Sequence, residues 1–139
     1  MATLLAHLTV RAGGEARFEE LARELYDASH TGEPGLVRYE YLRAAERRHY
    51  YCLLSFDDEA AFLRHQASDH HESATSELQE LLEASRFEWV DPVDGASPLG
   101  ATDVGGPAPA AGDLERAYHR AMGVVVSEWC KQRREPADG

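Results

Sequence analysis

The feature that most constrains the fold is the order in which apolar residues change their spacing along the first two thirds of the chain. Residues 4–10 alternate with a period of two, which predicts a strand buried on one face. Residues 15–30 carry apolar side chains at spacings of three and four, which predicts a helix. The β-prone pattern returns in residues 36–42 and 49–56. Because these two segments are close in the sequence, we expect them to form a hairpin.

The remaining segments complete this order. Asp57 is expected to cap a helix, a second helical stretch follows over residues 70–84, and residues 86–90 predict a short fourth strand. The predicted order is therefore β-α-β-β-α-β, the ferredoxin-like α+β pattern, in which helices cover one face of an antiparallel sheet. The other face, expected to carry tyrosines, a histidine and aliphatic residues, needs a cover. We expect a homodimer in which two such sheets form a dimeric α+β barrel.

The C-terminal third has a different composition. We assign residues 1–93 to the ferredoxin-like domain and residues 94–112, rich in Gly, Pro and Ala, to a linker. Residues 113–135 predict one extra amphipathic helix with Trp129 on its apolar stripe. Three roles stay open for this helix: packing on its own dimer, covering a cavity as a lid, and binding a protein partner.

Charge and cysteine content narrow the partners and the compartment. The chain has 14 basic and 25 acidic residues, a net charge of −11, which argues against nucleic acid and anionic membrane as partners. The N-terminus lacks the basic region of a signal peptide, so we expect a cytoplasmic location. Cys52 and Cys130 are then expected to be reduced, although the sequence leaves a disulfide between them open.

Three segments resemble a known family. They are Glu33–Glu40 at the start of the second predicted strand, Phe56–Phe62 where the third strand turns into a helix, and His65–His71 at the helix junction. Over residues 4–93 the chain resembles the antibiotic biosynthesis monooxygenase (ABM) domains of the dimeric α+β barrel superfamily. The resemblance implies that O₂ oxidises a phenolic, quinol or polycyclic aromatic, polyketide-like substrate without flavin, metal or haem. The expected cofactor is therefore none, and the expected partners are a small aromatic substrate and O₂.

The sequence departs from the family pattern at three positions. Phe56 stands where the family usually has tryptophan, and Leu54 stands where it often has an acidic residue. Thr75 stands where the haem-degrading members carry their ligating histidine, which argues against haem. Two alternatives to a monooxygenase therefore stay open. One is a non-catalytic or non-redox dimer that binds a small aromatic ligand, and the other is an isomerase or cyclase that uses the same pocket.

The implied chemistry needs a base, hydrogen-bond donors for an anion and a dry pocket. His65, at the helix junction, is the first choice for the base or for orienting the substrate, because histidine titrates near neutral pH. His7 is the second catalytic candidate, on the more polar face of the first strand and expected to point at the cavity. The predicted substrate-binding residues are Tyr39, Tyr41, Tyr51, Phe56 and His70.

The histidines near the helix junction also raise the question of a metal. His65, His70 and His71 cluster in the sequence with Asp69 and Glu72. Side chains that share a helix face are three or four residues apart, so spacings of five and six are poor for one metal site. His70 and His71 could instead cap the following helix. We therefore predict no metal ligand.

Overall fold

The computed structural model describes residues 1–134. A four-stranded antiparallel sheet carries three helices on one of its faces, and two further helices follow. The elements are β1 (Ala2–Val10), α1 (Glu15–Gly32), β2 (Leu36–Arg43), β3 (His49–Phe56), α2 (Glu59–Gln66), α3 (Asp69–Leu81), β4 (Leu82–Trp89), α4 (Asp113–Met122) and α5 (Glu128–Arg133). The predicted ferredoxin-like α+β fold is confirmed.

The strand order is β2-β3-β1-β4, so β1 lies in the middle of the sheet. Leu4 of β1 is 3% exposed and lies opposite Leu54 of β3 and Trp89 of β4. Tyr39 of β2 lies opposite Leu54 in turn. Directly opposed residues share a face of the sheet, so these four side chains all point toward the helices.

Aromatic residues form the centre of the core between the sheet and the helices. Phe18 of α1 and Phe62 of α2 are fully buried. The ring of Phe62 packs edge-on against Trp89 at 4.9 Å and against Phe56 at 5.8 Å, measured between centroids. Such edge-to-face pairs add about 0.5–1.5 kcal/mol each beyond the area that they bury. This packing fixes α2 over the sheet.

A sharp bend separates α2 from α3 and brings the histidines together. The carboxylate of Asp58 caps α2 by accepting a hydrogen bond from the Ala61 N–H at 2.8 Å. The cap is therefore Asp58 and the predicted cap, Asp57, is wrong, because Asp58 is the last residue with extended backbone. The Ser68 hydroxyl caps α3. Because the chain turns at this serine, the end of α2 lies beside the start of α3.

The C-terminal segment, which we define as residues 94–134, contains two short helices where one continuous helix over 113–135 was predicted. α4 ends at Met122 and α5 begins at Glu128. Residue 135 lies outside the described residues. Residues 94–112, the predicted linker, consist of turns and irregular backbone.

The break between α4 and α5 has a steric and a tertiary cause. Gly123 has extended backbone, and a Cβ placed on it would lie 2.8 Å from the carbonyl oxygen of His119. Three valines follow, and β-branched residues lose side-chain freedom in a helix. Val124 and Val126 are buried against Ala2 at the start of the first strand. Burying these valines on the sheet therefore replaces the helical continuation.

Polar contacts fix the C-terminal segment to the edge of the sheet. The buried hydroxyl of Thr102 donates to the Val90 carbonyl at 2.6 Å, and it accepts from the Thr3 N–H at 3.3 Å. The guanidinium of Arg134 donates to both carboxylate oxygens of Asp91 at 2.7 Å. This bidentate pair also lowers the pKa of the Asp91 carboxyl. The segment therefore packs on its own chain.

The other face of the sheet carries no helix within residues 1–134. Tyr51 and Leu42 lie opposite each other there and are 39% and 50% exposed. Of the three tyrosines considered from the sequence, only Tyr51 lies on this face, because Tyr39 and Tyr41 point toward the helices. The homodimer stays a prediction. Within the same residues, none of the helices combines the length and apolarity that a membrane crossing requires.

Replacing Gly35 by alanine should destabilise the fold. Gly35 has φ +86°, and an added Cβ would lie 2.8 Å from the Cβ of Ala61. A left-handed backbone costs an L-residue roughly 1–2 kcal/mol before this clash is counted. We expect Gly35→Ala to lower the free energy of unfolding by about 2 kcal/mol or more, measured by urea unfolding followed by circular dichroism.

The matched control is Gly32→Ala at the end of α1, where no atom lies within 4 Å of the added Cβ. This variant should keep the wild-type stability or gain up to about 1 kcal/mol, since alanine favours helix over glycine. Equal stability of the two variants would contradict the steric role assigned to Gly35.

Candidate functional site

A cavity of about 340 Å³ lies between the helix-facing side of the sheet and the helices. Leu4 and Leu54 contribute to its apolar floor, and α4 closes it with Tyr118 and Met122. The polar side chains that line it include Tyr39, Tyr41, His65, His71, Thr75 and Tyr118. A mainly apolar hollow of this size with a few convergent polar groups is typical of a small-molecule site.

A carboxylate orients the histidine that lines this cavity. Glu33 follows directly after α1, and its oxygens lie 2.9 and 3.0 Å from Nδ1 of His65, which is 1% exposed. Burial raises the pKa of Glu33, but hydrogen bonds from His65, Ser29 and His70 and the charge of His65 outweigh it and lower the pKa to about 2. An ionised carboxylate only accepts, so Nδ1 carries the proton and donates it. The Nε2 atom, which has no hydrogen-bond partner in residues 1–134, remains to interact with a ligand.

His70 is the second imidazole that binds Glu33. Its Nε2 lies 2.7 Å from the carboxylate and also within 3.2 Å of the hydroxyls of Ser29 and Ser68. The structure therefore places His70 behind His65 and not among the residues that line the cavity, where it was predicted to contact substrate. Its contacts support the orientation of the carboxylate.

Within the described residues, one group of side chains could hold a metal ion, and it consists of Glu33, His65 and His70. Ligand atoms of Glu33, His65 and His70 all lie within 4.8 Å of one another. Two imidazoles and a carboxylate suit a divalent transition metal. Both imidazoles already satisfy the carboxylate through hydrogen bonds, so an ion would have to displace them. The sequence placed His71 near His65 and His70, but in the structure Glu33 is the third residue of this group.

His71 lines the cavity with a ring that lies 5.2 Å from that of His65. Its Nδ1 is buried and has no close hydrogen-bond partner within residues 1–134. Burial, together with the nearby charge of His65, lowers the pKa of His71 from 6.5 to about 4, although the Glu72 carboxylate and the Gln66 backbone raise it. A neutral imidazole therefore lies in the cavity wall at neutral pH.

Two tyrosines form a hydroxyl pair on the sheet side of the cavity. The oxygens of Tyr39 and Tyr41 lie 2.7 Å apart, and the Tyr39 ring packs against His65 at 5.0 Å. Burial raises the pKa of both phenols well above their usual value. Both hydroxyls are therefore protonated, and two protons serve one hydrogen bond between them. The second proton is available to a ligand.

The two cysteines are free thiols and do not form a disulfide. Cys52 lines the cavity, and burial raises the pKa of its thiol. A protonated thiol is a poor nucleophile, so Cys52 acts as an apolar wall. Cys130 lies in α5.

The C-terminal segment supplies the remaining wall of the cavity. Tyr118 of α4 donates its hydroxyl proton to Glu72 of α3, and burial and this carboxylate raise the pKa of Tyr118 to about 12. The neighbouring His119 bonds to the fully buried carboxylate of Glu59, which also accepts from the Gly106 N–H at 3.0 Å. Buried carboxylates need such partners. These contacts hold α4 against α2 and α3.

Two predicted site residues lie on the opposite face of the sheet. His7 lies on the more polar face of β1, as expected, because it alternates with the buried residues of that strand. This face does not line the cavity between the sheet and the helices, and the catalytic role of His7 stays a prediction. His7 lies 2.7 Å from the Glu88 carboxylate and packs edge-on against Tyr51 at 5.5 Å. Tyr51, predicted to bind substrate, is therefore also outside the cavity.

Phe56 packs against His65 on the side that does not face the cavity. It is 1% exposed, and its ring lies 5.3 Å from that of His65. Phe56 therefore fixes the histidine and does not line the cavity, whereas Leu54 lines it directly.

The sequence reasoning missed Glu33 and Tyr118 as site residues. Glu33 stands in one of the three segments that carried the family resemblance, so a signal was present. Tyr118 stands in the C-terminal segment, whose helix could have been a lid over a cavity, but the residue itself was not named for the site.

Comparison with known proteins gives one family match. Residues 1–77 match the sequence model described as "Antibiotic biosynthesis monooxygenase". The match includes Glu33, His65 and His71 and ends before the C-terminal segment. No curated protein matches the chain in sequence.

Solved structures share the fold. A protein from Pseudomonas aeruginosa is 24% identical over 64% of this chain and 90% of its own, with a TM-score of 0.59. A Caulobacter crescentus protein named for the same family is 24% identical over 67% of this chain and 90% of its own, with a TM-score of 0.63. A protein from Bacteroides thetaiotaomicron, also named for this family, is 18% identical over 70% of this chain and 94% of its own, with a TM-score of 0.65. At such identities the likeness shows the fold alone.

The low pKa of His71 should be visible in a pH titration. Between pH 6.5 and about 4 the unfolded chain binds a proton on His71 that the folded protein does not. The free energy of unfolding should therefore fall as the pH decreases through this range, and His71→Asn should remove up to about 3 kcal/mol of that fall. The direct measurement is NMR titration of the His71 imidazole, with a midpoint expected below pH 5.

Circular dichroism of His71→Asn at pH 8 controls for loss of the fold. A His71 midpoint at or above pH 6.5 would show that the imidazole is solvated, which would contradict its burial in the cavity wall.

Proposed function

Because this chain belongs to the antibiotic biosynthesis monooxygenase family, we propose that its cavity binds a small phenolic, quinol or polycyclic aromatic molecule and supports oxidation of that molecule by O₂ without a bound cofactor. The observation that carries the proposal is the Glu33–His65 pair in the wall of a mainly apolar cavity of about 340 Å³. Catalytic bases need this combination of a fixed tautomer and a nearby space for the substrate.

His65 is the base in this proposal. Its Nε2 takes the proton of an acidic hydroxyl or of a C–H group activated by flanking aromatic rings. The ionised carboxylate of Glu33 then stabilises the imidazolium that forms, while it keeps the ring in the productive orientation. Phe56 and Tyr39 pack on the imidazole and limit its rotation.

The tyrosine pair stabilises the substrate anion. One proton of the Tyr39–Tyr41 pair is free to bond an oxyanion, and both phenols hold their protons. In a space with little water this hydrogen bond is stronger than in solution.

The oxidation balances with O₂ as the only other reactant. The electron-rich anion reduces O₂, one oxygen atom enters the substrate, and the other leaves as water. For an anthrone-like substrate a CH₂ group becomes a carbonyl, and the substrate supplies all the electrons and both protons of the water. Apolar walls such as Leu4 and Leu54 keep bulk water from the anion.

A second candidate is a binding protein without oxidation, or an isomerase or cyclase that uses the same base. The apolar side chain of Leu54 in the cavity wall favours this candidate, because no carboxylate stands at that position. Binding of aromatic ligands without uptake of oxygen would support it.

The test is oxygen uptake with a panel of anthrones and quinols. We expect His65→Gln to lower kcat by roughly 10²–10⁴, the range for loss of a general base. Glu33→Gln should lower kcat less, because the base stays in place but its imidazolium loses the counter-charge. His7→Gln is the matched control on the opposite face and should keep the wild-type activity.

Two results would contradict the proposal. Absence of uptake with every substrate, while the same ligands raise the melting temperature, would leave the binding candidate. An equal loss in His7→Gln and His65→Gln would move the site to the other face of the sheet.

A further inference from the structure

A second concave surface adjoins the cavity. It is a groove of about 740 Å³ between β4 and the C-terminal segment. Leu4, Phe87 and Met122 line both the groove and the cavity, so these three side chains form the boundary between the two spaces. A ligand that reached from the cavity into the groove would pass this boundary.

The groove exposes large apolar side chains in one place. Phe87 is 51% exposed, Val125 is 74% exposed and Trp129 is 68% exposed. Scattered apolar residues on a surface need no explanation, but a contiguous apolar groove marks a binding site. Three bulky side chains from two elements around one hollow form such a surface.

The exposed tryptophan is held in place. Trp129 belongs to α5, which ends next to the ion pair between Arg134 and Asp91. Before α5, Val124 and Val126 are buried against the first strand. Both ends of the short helix are therefore fixed, so the groove is preformed for a ligand.

The charges at the groove select against an anionic ligand. Glu88 and Asp91 line it, and no basic side chain does so within the described residues. Asp91 is neutralised by Arg134, and Glu88 is paired with His7 and Arg86. The surface therefore suits an uncharged apolar chain or ring and not a carboxylate tail.

Met122 stands between the two spaces. Its sulfur accepts a hydrogen bond from the Gln66 side-chain amide at 3.3 Å, which places the thioether at the common boundary. Methionine is unbranched and adapts its shape readily. The side chain can therefore adjust to a ligand that passes from the cavity into the groove.

We propose that the groove is a second binding subsite, which receives the apolar extension of a phenol or quinol whose ring occupies the cavity. This inference rests on the proposed function for the position of the ring. The ligand class is an uncharged aromatic with an alkyl or fused-ring extension. The residues that build the subsite in the C-terminal segment lie beyond the family match, which ends at residue 77.

The test uses 4-alkylphenols from 4-methylphenol to 4-octylphenol, with binding measured by calorimetry on the full chain. Once the chain reaches the groove, affinity should rise two- to fourfold with each added methylene, as burial of a CH₂ group predicts. Val125→Asp should flatten this increase and leave the affinity for 4-methylphenol unchanged. The matched control is Val104→Asp, another exposed valine of the C-terminal segment that lies outside the groove.

Several results would overturn the subsite. The subsite is wrong if no alkylphenol binds. It is also wrong if affinity rises with chain length to the same extent in the wild type, in Val125→Asp and in Trp129→Ala. Sedimentation of the same variants tests whether a second copy of the chain covers the groove. In that case Val125→Asp would dissociate a dimer and leave the effect of alkyl chain length on affinity unchanged.

The subsite and the proposed function fail in different ways. If His65→Gln keeps full oxygen uptake while the chain-length effect persists, the base is wrong and the subsite stands. If oxygen uptake depends on His65 but affinity does not depend on chain length, the subsite is wrong and the base stands.

Discussion

The way the three helices meet depends on the largely buried negative charge of Glu33, whose side chain is 11% exposed. The carboxylate of Glu33 stays ionised inside the protein because His65 and His70 donate to it, and an unpaired charge there would be costly. The three residues come from the end of α1, the end of α2 and the start of α3. Their contacts therefore fix how the helices meet over the sheet, and the same contacts orient the imidazole that lines the cavity.

The fold could be predicted from the sequence because strand and helix periods follow from backbone geometry. Alternation also separates His7 from the buried residues of β1, but it shows only that the two faces differ and not which face encloses a cavity. Glu33 was missed because its partners, His65 and His70, lie more than thirty positions away in the sequence, and a local pattern carries no record of such pairing.

The C-terminal segment shows where tertiary contacts override a helical pattern. Apolar residues recur at helical spacing from α4 through α5, yet Gly123 approaches the His119 carbonyl too closely for a side chain, and Val124 is buried on the sheet. The resulting turn places Met122 over the cavity and carries Trp129 to the sheet edge. The helical spacing of apolar residues predicts neither the position of Met122 nor that of Trp129, because both depend on where the neighbouring strand lies.

The buried thiol of Cys52 has a consequence for the oxygen chemistry that we propose for this cavity. Peroxide oxidises the thiolate of cysteine far faster than the thiol. Burial raises the pKa of Cys52, so the sulfur in the cavity wall stays protonated throughout the physiological range. A reduced oxygen species that escaped the substrate would therefore meet a wall that resists sulfenic acid formation, and the protein could survive many turnovers without an external reductant to repair it.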